Sequence, residues 1–145
     1  MINTVKYKKL SPTAIVPTYG SEKSACFDLY ADLRQQKNVV IPPHSTAKIG
    51  IGIAFDLPES CFLEIKQRSG LASKGIFPVG GICDEDYKGE IMVLLHNSSN
   101  ADFIVNDHDR IAQAIIRHYH HINFYETDKL TESERGSNGF GSTGK

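Results

Sequence analysis

The stretch Ala47-Lys48-Ile49-Gly50-Ile51-Gly52-Ile53-Ala54-Phe55 puts an apolar residue at every odd position and Lys, Gly, Gly and Ala at the even ones. Side chains on a β-strand alternate between faces, so this period of two predicts a strand with one face buried and the other nearly bare. Pro42-Pro43 before it and Leu57-Pro58-Glu59-Ser60 after it read as turns. Cys61–Lys66 reads as a shorter strand. Ile91-Met92-Val93-Leu94-Leu95 is apolar throughout, as expected of a strand buried on both faces, and Asn97-Ser98-Ser99-Asn100 ends it. Residues 103–105 and 111–116 follow at similar spacing. Residues 110–118 also fit a helical face through Ile111 and Ile115, but β-branched content favours a strand. Many short strands with Gly and Pro turns predict an all-β fold, a jelly-roll-like β-barrel or sandwich. Such folds host binding modules, capsid proteins and enzymes alike, so function must come from the sites.

At 145 residues the chain suits one domain with a real core. Sixteen Lys and Arg against 17 Asp and Glu leave a net charge of −1, too little cationic field for nucleic acid as the main partner. Residues 1–6 carry no signal-like apolar run, and no segment approaches the ~20 apolar residues of a membrane helix. The expected setting is cytoplasmic or otherwise intracellular, with no membrane partner. Cys26, Cys61 and Cys83 form no CxxC pair, which suggests neither a disulfide framework nor a zinc site. Asn97-Ser98-Ser99 has the form of a glycosylation sequon and is expected to go unused.

Beyond about Glu126 apolar residues thin out and Gly and charge take over. Residues 1–126 are therefore expected to form the β-barrel and residues 127–145 a C-terminal arm. The final stretch from Gly139 to Lys145 spells G-x-x-x-x-G-K, most of a P-loop. A P-loop needs a following helix to help hold phosphate, and no residue after Lys145 is there to build one. The expectation is instead a Gly-rich tail, led by Arg135 and carrying Phe140, whose N–H groups and hydroxyls can wrap an anion.

Four further clusters carry polar chemistry. In Gly81-Ile82-Cys83-Asp84-Glu85-Asp86-Tyr87-Lys88-Gly89, three acids and a tyrosine lie between glycines. On a hairpin strand Asp84 and Asp86 would share a face, as a general base with its orienting partner or as metal ligands; a solvated acidic turn is the plain alternative. Tyr87 offers a stacking face for a base or sugar. Arg68-Ser69-Gly70-Leu71 offers phosphate a guanidinium fork, a hydroxyl and close backbone approach, or is simply a surface turn. Gln113 and Asp28 each interrupt an apolar run and need partners, Arg110 being one candidate for Asp28. His118 and His120 would share a strand face, but no third ligand stands at a recognisable spacing, so an ordinary polar strand end is expected.

Together these clusters resemble, in order, the five motifs of the trimeric dUTPase family, over nearly the whole chain. They are residues 24–31 around Asp28, 68–72, 81–89, 109–113, and the tail from Arg135 to Gly144. The resemblance implies a jelly-roll homotrimer with shared active sites and a flexible Gly-rich C-terminal tail. It implies hydrolysis of dUTP to dUMP and pyrophosphate with Mg²⁺, which limits uracil incorporation into DNA and supplies dUMP for dTMP synthesis. Asp84 matches the carboxylate that activates the attacking water, and Tyr87 the ring that packs on deoxyribose. The backbone from Gly81 through Ile82 and Cys83 to Asp84, with Met92 beyond it, matches the slot for uracil. Arg68, Ser69, Gly70 and Gln113 match phosphate binders. From the tail, Phe140 would stack on uracil while Arg135, Gly141, Ser142 and Thr143 close over the outer phosphates. No protein group is expected to bind Mg²⁺ directly, with Asp28 reaching it through water.

Three positions depart from the family pattern. Cys26 and His108 replace glycines and Gln67 replaces a proline, and none of these removes a reacting group. Two other readings of the same residues are a dCTP deaminase relative and a nucleotide-gated interaction protein that engages a regulatory partner.

Overall fold

The structure, a computed structural model, describes residues 4–139. Its elements in chain order are β1 Lys6–Lys9, β2 Thr18–Tyr19, β3 Phe27–Tyr30, β4 Asn38–Ile41, β5 Ser45–Gly50, β6 Ile53–Asp56, β7 Cys61–Lys66, α1 Ser69–Ala72, β8 Ile76–Pro78, β9 Ile82–Cys83, β10 Met92–Asn97, β11 Phe103–Asn106 and β12 Arg110–His118. The strands pair antiparallel throughout. One five-stranded sheet runs β2-β3-β12-β7-β9; the others are β5-β10-β8, β4-β11 and β1-β6. Leu29, Leu63, Ile65 and Ala114 from the large sheet meet Ile49, Val93, Leu95, Ile41 and Val105 from the smaller ones in a single apolar core. Burying each Leu, Ile or Val side chain stabilises the fold by ~1.5–3 kcal/mol, so this core is what holds the sheets face to face. The all-β, jelly-roll-like architecture is as expected. Among the described residues no helix is long and apolar enough to cross a membrane.

Three sequence expectations need correction. The strand expected over residues 47–55 is two: β5 ends at Gly50, β6 starts at Ile53, and the chain changes partner from β10 to β1 between them. Gly52 makes the break at φ +67°, where a Cβ would collide with the Asp32 carboxylate and lie 2.6 Å from the Ala14 Cβ. The seemingly bare face is glycine because Asp32 and Glu90 press against it, a Cβ at Gly50 meeting the Glu90 carboxylate. Second, β10 is buried on one face only: Val93 and Leu95 are inaccessible, whereas Leu94 is 41% exposed on the outer face. Third, Asp84 and Asp86 do not sit on a hairpin strand. β9 ends at Cys83, pairs with β7 rather than β10, and gives way to a turn at Glu85 and Asp86.

Residues 110–118 do form a strand, β12, with a register irregularity between Arg110 and Ala112. It ends at His118, so His120 lies beyond it, and the His118 Nδ1 meets the buried Cys61 thiol at 3.4 Å instead. The sequon asparagine is structural. Asn97 is fully buried, its amide donates to the carbonyls of Ile41 (2.9 Å) and Ala101 (2.8 Å), and its oxygen accepts from the Ser99 N–H and hydroxyl.

Candidate active site

β12 is the central strand of the large sheet, and its register aligns Gln113 with Asp28 on β3 and with Lys66 on β7. That alignment gathers three of the sequence clusters at one cavity of about 490 Å³, lined by Asp28, Arg68, Ser69, Gly70, Arg110 and Gln113 among others. Asp28 is the buried anchor. It accepts from Arg68 Nε (3.0 Å) on one oxygen and from Arg110 NH1 (3.3 Å) on the other, so both guanidinium groups are fixed by one carboxylate. Arg68 also donates to the Arg110 carbonyl (3.1 Å), and Gln113 Nε2 to the Gln67 carbonyl (2.8 Å). Two cations against one anion leave the cavity net positive, with spare N–H groups, which suits a polyphosphate. Ser69 and Gly70 open α1 at its rim, and a Cβ added at Gly70 would meet nothing within 4 Å. The expected pairing of Asp28 with Arg110 is present; Arg68 is a second partner not foreseen from the sequence.

Asp84 lies elsewhere. β9 runs antiparallel to β7 with Ile82 opposite Glu64 and Cys83 opposite Leu63, which places Asp84 alongside Phe62, six residues from Arg68. At ~3.3 Å per residue the two are roughly 20 Å apart along the strand. Asp84 lines a second cavity of about 640 Å³, with Phe62, Ile82, Glu85, Asp86, Tyr119 and His121. Among the described residues the Asp84 carboxylate accepts no hydrogen bond, whereas neighbouring Glu85 accepts from the Ser60 N–H (2.7 Å) and the Tyr119 hydroxyl (2.9 Å). Tyr119 keeps its proton above the ordinary tyrosine range, first through that bond to Glu85 and then through burial and the acids nearby. Burial likewise pushes the Cys83 thiol upward, and the Asp84 charge adds to it.

The remaining residues of this loop are held by close backbone packing. Gly81 has φ +129°, and a Cβ there would lie 2.7 Å from the Ile65 carbonyl oxygen. The Tyr87 hydroxyl donates to the Glu90 carbonyl (2.8 Å), and its ring crosses Gly89 so closely that a Cβ would lie 2.7 Å from the ring carbon Cζ. The Tyr87 N–H donates to the Asp84 carbonyl at 3.2 Å. Met92 opens β10 opposite Gly50. Lys88 bridges the Glu85 carbonyl and Asp56, both at 2.8 Å, and holds the Asp56 carboxyl below the usual range.

One chain therefore brings together Asp28, Arg68, Ser69, Gly70 and Gln113, and separately Ile82 and Asp84 with Tyr87 in the same loop; it does not join the two sets. Arg135 is exposed and, among the described residues, bonds within its own turn, donating to the Asn138 carbonyl at 3.0 Å. Phe140, Gly141, Ser142 and Thr143 lie outside the described residues. Sequence reasoning missed Glu85, Tyr119 and Phe62 as neighbours of Asp84. The half-buried positions of β7 carry the signal for Phe62, but the Tyr119 contact depends on where β12 ends.

Each Asp28 oxygen already accepts an arginine N–H, so a cation at this carboxylate would compete with two guanidinium groups for it. Ligand atoms of Asp32, Asp107 and His108 lie within 4.8 Å of one another, but none of the three lines either cavity. His108 has φ +65°, which explains why glycine suits this position; its ring compensates by meeting the Thr13 carbonyl at 3.1 Å.

Residues 13–144 match the family model described as dUTPase. The chain is 42% identical over 143 residues to the deoxyuridine 5'-triphosphate nucleotidohydrolase of Helicobacter pylori strain J99, covering 97% of this chain and 96% of that protein. It is 40% identical to the human mitochondrial protein of the same name over 97% of this chain and 55% of that protein. Among solved structures, the G164S mutant of the Staphylococcus bacteriophage 80alpha dUTPase with dUpNHpp superposes with a TM-score of 0.88 at 23% identity, over 98% of this chain and 99% of that one. A mutant dUTPase from phage phi11 of S. aureus, which coordinates a structural Mg(II) ion, superposes with a TM-score of 0.80 at 20% identity, over 90% and 100%. Motifs, fold and a match over most of its length agree: the chain belongs to the dUTPase family.

Proposed function

We propose that the protein hydrolyses dUTP to dUMP and pyrophosphate in active sites assembled between chains. The reading is carried by the division of chemistry between the two cavities: paired guanidinium groups for phosphate in one, an unengaged carboxylate in the other. Asp84 takes a proton from water as the water oxygen attacks the α-phosphorus. The bond from that phosphorus to the bridging oxygen breaks, and pyrophosphate leaves. A carboxylate with no hydrogen-bonding partner among the described residues is free to orient that water. Arg68, Ser69, Gly70 and Gln113 bind the phosphates, with Asp28 holding the Arg68 fork in place. Bound Mg²⁺ would neutralise phosphate charge, held by the phosphates and by water, with Asp28 reached through water. Tyr87 packs on the deoxyribose, and the backbone of Gly81, Ile82, Cys83 and Asp84, with Met92, bounds the uracil. Residues 127–145 act as a C-terminal arm, from which Phe140, Arg135, Gly141, Ser142 and Thr143 cover the nucleotide. By removing dUTP the enzyme limits uracil entry into DNA and supplies dUMP.

The ~20 Å between Asp84 and Arg68 along one chain supports sites shared by neighbouring subunits of a homotrimer. Exposed apolar surface supports the same assembly: Ile122, Phe124, Tyr125 and Leu130 are each at least two-thirds accessible. A groove of about 670 Å³ lined by Tyr7, Val16, Phe27, Phe55 and Ile115 also awaits cover.

Pyrophosphate release from dUTP, dTTP, dCTP and UTP with Mg²⁺ tests the reaction. Turnover of dUTP alone is expected, and its absence defeats the proposal. Asp84→Asn should keep nucleotide affinity and lose turnover by 10²-fold or more (~3 kcal/mol of transition-state stabilisation). Equal loss of both would argue against a base.

A further inference from the structure

The Asp84 loop has little sheet to hold it, because β9 is two residues long and pairs with β7 alone. Besides Lys88, which bridges the Glu85 carbonyl to Asp56, one carboxylate ties it down. Glu85 Oε2 accepts from the Ser60 N–H at 2.7 Å and from the Tyr119 hydroxyl at 2.9 Å, joining the loop to the turn before β7 and to the first residue after β12. Tyr119 is itself fixed: its N–H donates to the Ser60 carbonyl at 3.0 Å, and its ring packs edge-on against Phe62 and His121. An ionised acceptor makes both bonds stronger than neutral ones. Glu85 is adjacent in sequence to Asp84, so any slack at Glu85 passes directly to the neighbouring carboxylate. Misplacing a reacting group by 1 Å costs about 10²-fold in rate, so a small loosening is readable.

We propose that Glu85 and Tyr119 form a positioning pair that fixes the Asp84 loop and thereby sets turnover without contributing to nucleotide affinity. This rests on the reading of Asp84 as the base. Tyr119→Phe removes only the hydroxyl and keeps the ring packing; Glu85→Ala removes the tie; Glu85→Gln keeps an oxygen able to accept both bonds. Each full-length variant is measured for kcat and KM on dUTP and for amide exchange over residues 84–88.

Tyr119→Phe and Glu85→Ala should lower kcat roughly tenfold, leave KM within about twofold, and speed exchange over 84–88 while β12 stays protected. Glu85→Gln should retain most of the rate. Unchanged kcat and exchange in Tyr119→Phe and Glu85→Ala would overturn the pairing. So would a raised KM at constant kcat, which marks binding groups, or a Glu85→Gln loss as large as that of Glu85→Ala, which marks a charge effect. A wild-type protein that turns over no dUTP, with exchange still accelerated in Tyr119→Phe, would remove the reaction and leave the tie standing.

Discussion

Asp28 holds two guanidinium groups at once, and that single carboxylate decides which donors of its cavity remain free. Arg68 spends Nε on Asp28 and one terminal N–H on the Arg110 carbonyl, so its remaining donors are the ones left for a ligand. In the other cavity, the residue next to the proposed base reports on its surroundings. Burial holds the Cys83 thiol above its ordinary value, and the Asp84 charge adds to this. A raised value means the thiolate forms at higher pH, so alkylation of Cys83 should reach half-maximal rate above the ~8.5 of a free cysteine. Following carbamidomethylation of Cys83 by mass spectrometry against pH checks this. Asp84→Asn should move the midpoint partway back down, and a wild-type midpoint at or below about 8.5 would contradict the expectation.

Among the elements, Asn97 joins three pieces of chain. Its side chain bonds Ile41 at the end of β4, Ala101 before β11 and Ser99 in the turn between. Asn97→Ala would strand those buried groups and should destabilise the fold by about 3 kcal/mol in chemical denaturation. A loss under about 1 kcal/mol would mean that water replaces the amide. Legibility follows the same physics. Cys61–Lys66 could be read because alternation alone describes a strand with one covered face. The break at Gly52 was not legible, because the glycine serves the distant side chains of Asp32 and Ala14 rather than a local turn. The outer face of β10 was overestimated because Leu94 is apolar, yet the described residues leave 41% of it exposed.

In the proposed homotrimer, each site draws on more than one chain. If Asp84 of one subunit works with Arg68 of another, co-expressed Asp84→Asn and Arg68→Ala chains should regain activity that neither has alone. Random assembly would rebuild about one quarter of the sites. No recovery in mixed trimers would place both groups in one chain's site. Sequence alone specified the family and the all-β class and put forward Asp84, Tyr87, Arg68 and Gln113 as the site residues, because each chemistry demands its residue type and the motif order is specific. Where those residues stand was set by the fold. Strand register puts Gln113 beside Asp28 and sends Asp84 the other way along β7, and register is a long-range property that local alternation does not contain.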